Sequence, residues 1–92
     1  PITETVKQLP KDDVSAIYQQ ARAFYLKSQY STALEKFNYI INNFASNSLA
    51  ANALYWKGEI YYDMNDFVSS VSAFQNVVDY YPKSSKAPDA QF

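Results

Sequence analysis

Tyr18, Arg22 and Tyr25 stand at intervals of four and three, and Tyr55, Glu59 and Tyr62 repeat those intervals 37 residues later. In a helix such spacing keeps each trio together on one side. Tyrosine presents apolar area with a polar tip at low entropic cost. Arg22 suits a carboxylate, and Glu59 suits a lysine or an amide. With Asn52 one turn before Tyr55, this set has the chemistry of holding another protein. Catalysis has little to draw on. The chain has no histidine and no cysteine, so no serine or threonine has an imidazole to activate it and no thiolate is available. Asp63 and Asp66, three apart, lack the oxygen-rich loop that calcium requires and read as a helix end and an N-cap. Glu4, Asp12 and Asp13 form no spaced acid–base pair. A single glycine, Gly58, makes no phosphate-cradling loop. The reading is a non-enzyme with no metal and no cofactor.

The elements that position these residues follow from the same offset. Tyr30, Ala33, Leu34, Phe37, Ile41 and Phe44 recur as Phe67, Ser70, Val71, Phe74, Val78 and Tyr81; Ile17, Ala21 and Phe24 recur as Leu54, Gly58 and Tyr61. A fixed period in this range marks stacked helical repeats. A first helix is expected from about Val14 to Lys27, with Asp12 or Asp13 as cap. A second starts at Ser31 and ends near Phe44. A third runs from about Leu49 to Met64 with Ser48 as cap, and a fourth, capped by Asp66, ends at Pro82. The apolar positions of the second and fourth helices fall at 4-3-4-3, one continuous stripe each. Pro88 suits the first turn of a further helix. The fold class is therefore all-α, tandem antiparallel helix hairpins. The units are a linker at 1–11, repeats at 12–47 and 48–84, and the start of a third repeat helix at 85–92.

On the first helix, Ile17, Ala21 and Phe24 face the core. Ser15, Tyr18, Arg22 and Tyr25 lie about 120° away, by the ~100° per residue of a helix. Asn52, Tyr55, Glu59 and Tyr62 are placed alike on the third helix, and Asp89 and Phe92 begin a third row. The alternative use of these tyrosines is packing between helices, with Arg22 and Glu59 paired to each other. Trp56 neighbours both the groove edge and the face between repeats, and core packing is the preferred of its two readings. Gly58 and Ala21 are read as points of close helix approach, since a mid-helix glycine costs about 1 kcal/mol relative to alanine.

Composition narrows the function classes. The chain is 48% hydrophobic and 18% charged with a net charge of −1. It has no basic cluster for nucleic acid and no apolar run of the ~18 residues that a membrane span needs. It begins at Pro1, which suggests an excised or processed piece. Two repeats plus a stub leave an apolar edge on the fourth helix, so self-association or low stability is expected.

The motif residues resemble a tetratricopeptide repeat. Gly58, Tyr61, Phe67, Phe74 and Pro82 fit its small–aromatic–aromatic–aromatic–proline pattern, as do Ala21, Phe24, Tyr30, Ala33 and Phe37 in the first copy. Ser70 stands where alanine is usual, Lys57 where leucine is usual, and Ala45 replaces the first copy's proline. That resemblance implies a right-handed superhelix whose first helices line a concave groove. Here the groove would be built from Tyr18, Arg22, Tyr25, Asn52, Tyr55, Glu59 and Tyr62. The phrases Gly58-Glu59-Ile60-Tyr61-Tyr62 and Tyr81-Pro82-Lys83-Ser84-Ser85-Lys86-Ala87-Pro88-Asp89-Ala90 are further similar to the cell-division coordinator family of the bacterial Tol–Pal system (CpoB/YbgF). That likeness implies a periplasmic location and a TolA-like or peptidoglycan-synthesis protein as partner. Two other assignments remain: the repeat scaffold of an outer-membrane assembly lipoprotein resembling BamD, or a regulatory repeat domain of a larger protein.

Overall fold

Asp13 opens the first helix by accepting a hydrogen bond from the Ala16 amide at 3.1 Å, which satisfies one of the free donors of the first turn. From there the computed structural model describes residues 13–91, and every regular element in them is helical. The helices are α1 (Val14–Leu26), α2 (Tyr30–Asn43), α3 (Ser48–Asp63), α4 (Phe67–Tyr80) and the short α5 (Ala87–Ala90). The expected linker at 1–11, the alternative cap Asp12 and Phe92 lie outside the described residues.

Boundaries match the expected ones within a residue or two. Asp66 caps α4 through the Ser69 amide. The cap of α3 is Asn47, which accepts from the Leu49 amide at 2.9 Å, rather than Ser48. The second helix begins at Tyr30, one residue before Ser31, with no side-chain cap.

The two hairpins close by the same device. The Gln29 amide reaches back to the Phe24 carbonyl and the Ser28 amide to that of Tyr25; Asp66 and Asn65 repeat this onto Tyr61 and Tyr62. This paired ending needs a left-handed residue. Ser28 and Asn65 supply it, at φ 61° and 64°. Asparagine tolerates that region better than serine does. Ser28→Gly is therefore expected to stabilise the fold by about 0.5–1 kcal/mol, a rise of roughly 2–8 °C in Tm. A lower Tm in a thermal melt would contradict the strain at Ser28.

The core is two clusters built from equivalent positions. Ile17, Ala21, Ala33, Phe37, Ile40, Ala50 and Ala53 form the first with Ile60. Their counterparts 37 residues on (Leu54, Gly58, Ser70, Phe74, Val77, Ala87 and Ala90) are buried as well, and most of them form the second. Each cluster thus takes a hairpin plus the opening turn of the next helix, and α3 belongs to both. The apolar stripe divides in two. Ala33, Phe37 and Ile40 are fully buried, whereas Tyr30, Leu34, Ile41 and Phe44 are half-buried around them. Ile40 and Val77, outside the 4-3-4-3 count, are core residues.

Gly58 is the point of closest approach. A Cβ there would lie 2.6 Å from the Phe74 ring, closer than packed atoms come. The Ser70 hydroxyl donates to the Gly58 carbonyl at 2.9 Å, which satisfies a buried hydroxyl where repeat one has Ala33.

Coverage differs between the copies. Tyr30 and Leu34 are half-buried, while their counterparts Phe67 and Val71 are 50% and 56% exposed. The cause is the neighbour: α3 packs on α2, whereas of the described helices only the four-residue α5 follows α4.

Candidate functional site

α1 and α3 pack against each other as the first helices of successive hairpins. Trp56, on the side of α3 that meets α1, becomes the centre of the surface they share. Its indole N–H donates to the Tyr18 hydroxyl at 2.7 Å. The Tyr18 ring in turn meets buried Phe37 in a T-shaped contact, with centroids 6.0 Å apart. The Arg22 guanidinium carbon lies 5.2 Å from the centroid of the Trp56 ring system. Tyr25 and Tyr55 approach Trp56 with centroids at 5.4 and 5.8 Å. Four of the seven expected groove residues therefore meet on one indole.

The remaining three divide. Glu59 is half-buried one turn from both Tyr55 and Asp63 on α3, and its charge acts on Tyr25 and Tyr55. Tyr62 stands apart, 57% exposed, with its ring edge on Phe67 at 5.2 Å. Asn52 lines a different cleft of about 640 Å³ between the two inter-helix connectors, with Asn47, Tyr80, Tyr81 and Ser84 among its walls. The Tyr81 hydroxyl ties those connectors together by donating to the Ala45 carbonyl at 2.9 Å. Of the third row, Asp89 is exposed on α5.

The tyrosines serve packing and surface at once. The Tyr25 hydroxyl donates to Asp63 Oδ2 at 2.8 Å. Arg22 lies over the indole and makes no ion pair with Glu59. Asp63 and Asp66, the pair with a superficial cation-site look, are engaged separately, one by Tyr25 and one by the amide of Ser69.

Burial, then the hydrogen bond to Asp63 and its charge, push the Tyr25 phenol up to about 12; burial, then the Glu59 carboxylate, do the same for Tyr55. The ordinary value is 10.0, so between these limits the folded chain keeps protons that the unfolded chain releases. Their contribution to stability is complete below about pH 10 and is lost as pH rises towards 12. Tyr25→Phe should flatten that alkaline fall in a denaturation series across pH. A fall as steep as in the parent would contradict the assignment to Tyr25.

Trp56 joins both of the readings that its sequence position allows, groove edge and core. It does pack against the first cluster, but half-buried, with its ring plane available to Arg22. Lys86, in the connector before α5, carries no periodic signal in the sequence; its Nζ lies 5.0 Å from the Tyr55 ring centroid and 5.9 Å from that of Trp56. One signal points to Trp56. The bonds Tyr18–Trp56 and Tyr25–Asp63 both span 38 residues, so stacked helices meet one residue beyond the repeat offset.

Compared with known families, residues 15–47 and again 52–84 match the tetratricopeptide repeat. No match was found among curated proteins or among solved structures.

Proposed function

Because the chain belongs to the tetratricopeptide repeat family, whose domains are typically non-catalytic protein-interaction modules, we propose that it binds a protein partner on the face shared by α1 and α3. The contact centres on Trp56 with Tyr18, Arg22, Tyr25, Tyr55 and Glu59, and Tyr62 and Asn52 extend it to either side. The observation that carries this reading is the Trp56 cluster itself. Half-buried aromatic rings and an exposed arginine are gathered at a junction of two repeats, the composition found at the energetic centres of protein interfaces. Site-specific photo-crosslinking in cells that produce the protein tests it. A crosslinker at Arg22 or Tyr62 should capture the partner, while one at Ser72, on α4 in the cleft beside Lys57, should not. Capture from Ser72 alone would place the interface elsewhere.

The finer proposal is that this module works in the bacterial envelope, in the periplasm, with a TolA-like or peptidoglycan-synthesis protein as its partner. Its support is the 37-residue period together with the Gly58–Tyr62 and Tyr81–Ala90 phrases. Co-purification of the protein with the periplasmic domain of TolA, lost on Trp56→Ala, is the expected result. A protein retained in the cytoplasm on cell fractionation would overturn it.

A further inference from the structure

Two cations lie over the same indole. Arg22 of α1 is 5.2 Å and Lys86 of the last connector is 5.9 Å from the Trp56 centroid. Neither side chain has a hydrogen bond or an ion pair with a described residue. Three carboxylates border the site without neutralising them. Asp63 takes the Tyr25 hydroxyl, Glu59 acts on Tyr25 and Tyr55, and Asp89 acts on Tyr55. The arrangement is two cations over an apolar ring, with three carboxylates bordering its neighbouring tyrosines.

We propose that the partner presents a single side-chain carboxylate, flanked by neutral or basic residues, that seats on Trp56 between Arg22 and Lys86. This rests on the protein-binding reading above and gives that site its charge preference. A guanidinium donates two parallel bonds to a carboxylate, and such bonds strengthen where the aromatic wall excludes water. A run of acidic residues would meet Glu59 and Asp89 and be repelled, so the border selects against polyacidic segments. Arg22 and Lys86 come from opposite ends of the repeat stack, so the clamp exists only while both hairpins are stacked.

The test uses a random dodecapeptide library displayed on phage with no free C-terminus, selected on the parent chain and on Arg22→Gln and Lys86→Gln. The parent should enrich sequences with one Asp or Glu beside neutral or basic residues. A capped synthetic peptide of that kind should change the fluorescence of Trp56, the chain's sole tryptophan. Each variant, and Glu→Gln in the peptide, should weaken binding about fivefold, with little further loss when combined. Circular dichroism should show both variants folded. Enrichment of acid-free peptides that still change Trp56 fluorescence would overturn the charge preference and leave the binding face standing. Peptides that bind without changing Trp56, or no enrichment, would overturn both.

Discussion

Gly58→Leu is expected to unfold the second hairpin at temperatures where the parent is folded. The first carbon added at Gly58 already meets three atoms of the Phe74 ring at 2.6 to 2.9 Å. That ring cannot step aside, because it is buried and packs on Tyr55 with centroids 5.3 Å apart. Overpacking of this kind costs about 1–3 kcal/mol, and expelling a buried phenylalanine costs about 3–5. Domains hold about 5–15 kcal/mol in total. Gly58→Ala gains about 1 kcal/mol of helix propensity yet meets the same ring, so it too should destabilise. Urea denaturation followed by circular dichroism measures both. The diagnostic control is Gly58→Ala combined with Phe74→Leu, which should lose less than the sum of the single changes. An unchanged midpoint for Gly58→Leu would remove the close-approach account.

Phe37→Ala is the second large effect. Phe37 is fully buried at the centre of the first cluster, and truncation there costs about 3–5 kcal/mol in lost burial and cavity. The consequence reaches the binding face. Tyr18 packs T-shaped on Phe37 and holds the Trp56 indole. Trp56 emission should therefore shift to longer wavelength in the variant before unfolding is complete. Phe37→Leu, nearer in volume, should cost less than about 1.5 kcal/mol and keep the emission near that of the parent. A Phe37→Ala protein with the parent's midpoint and emission would contradict this chain of contacts.

These two positions were legible in the sequence because they are properties of single hairpins. The offset paired Gly58 with Ala21 and Phe74 with Phe37, and caps at Asp13 and Asp66 follow from local chemistry. What was not legible depends on how hairpins stack. Periodicity orders the residues around one helix axis but does not say which neighbour each side meets. Hence Trp56, one residue beyond the register of Tyr55, left core and groove edge both open, and only the stacked α1 shows that it serves both. Ile40 was passed over because Ile41 fits the stripe; both are used, Ile40 fully buried and Ile41 half-buried against both clusters. Asn52 shares its helix side with Tyr55 yet lines the connector cleft, because the second connector approaches it there. Lys86 carries no periodic signal, since it lies between helices. Ser28 gave none either: serine is not a residue that announces a left-handed turn.

The central claim is that α1 and α3 present one binding surface with Trp56 at its middle. The indole N–H resonance of Trp56, unique in this chain, reports on it directly in a heteronuclear NMR titration with the partner or a selected peptide. Binding should shift that resonance saturably, together with the amides of Arg22 and Tyr55, and leave those of Ser72 and Asn76 in place. An indole resonance that stays fixed while the amides around Lys57, Ser72 and Asn76 move would contradict the claim and assign binding to the opposite cleft.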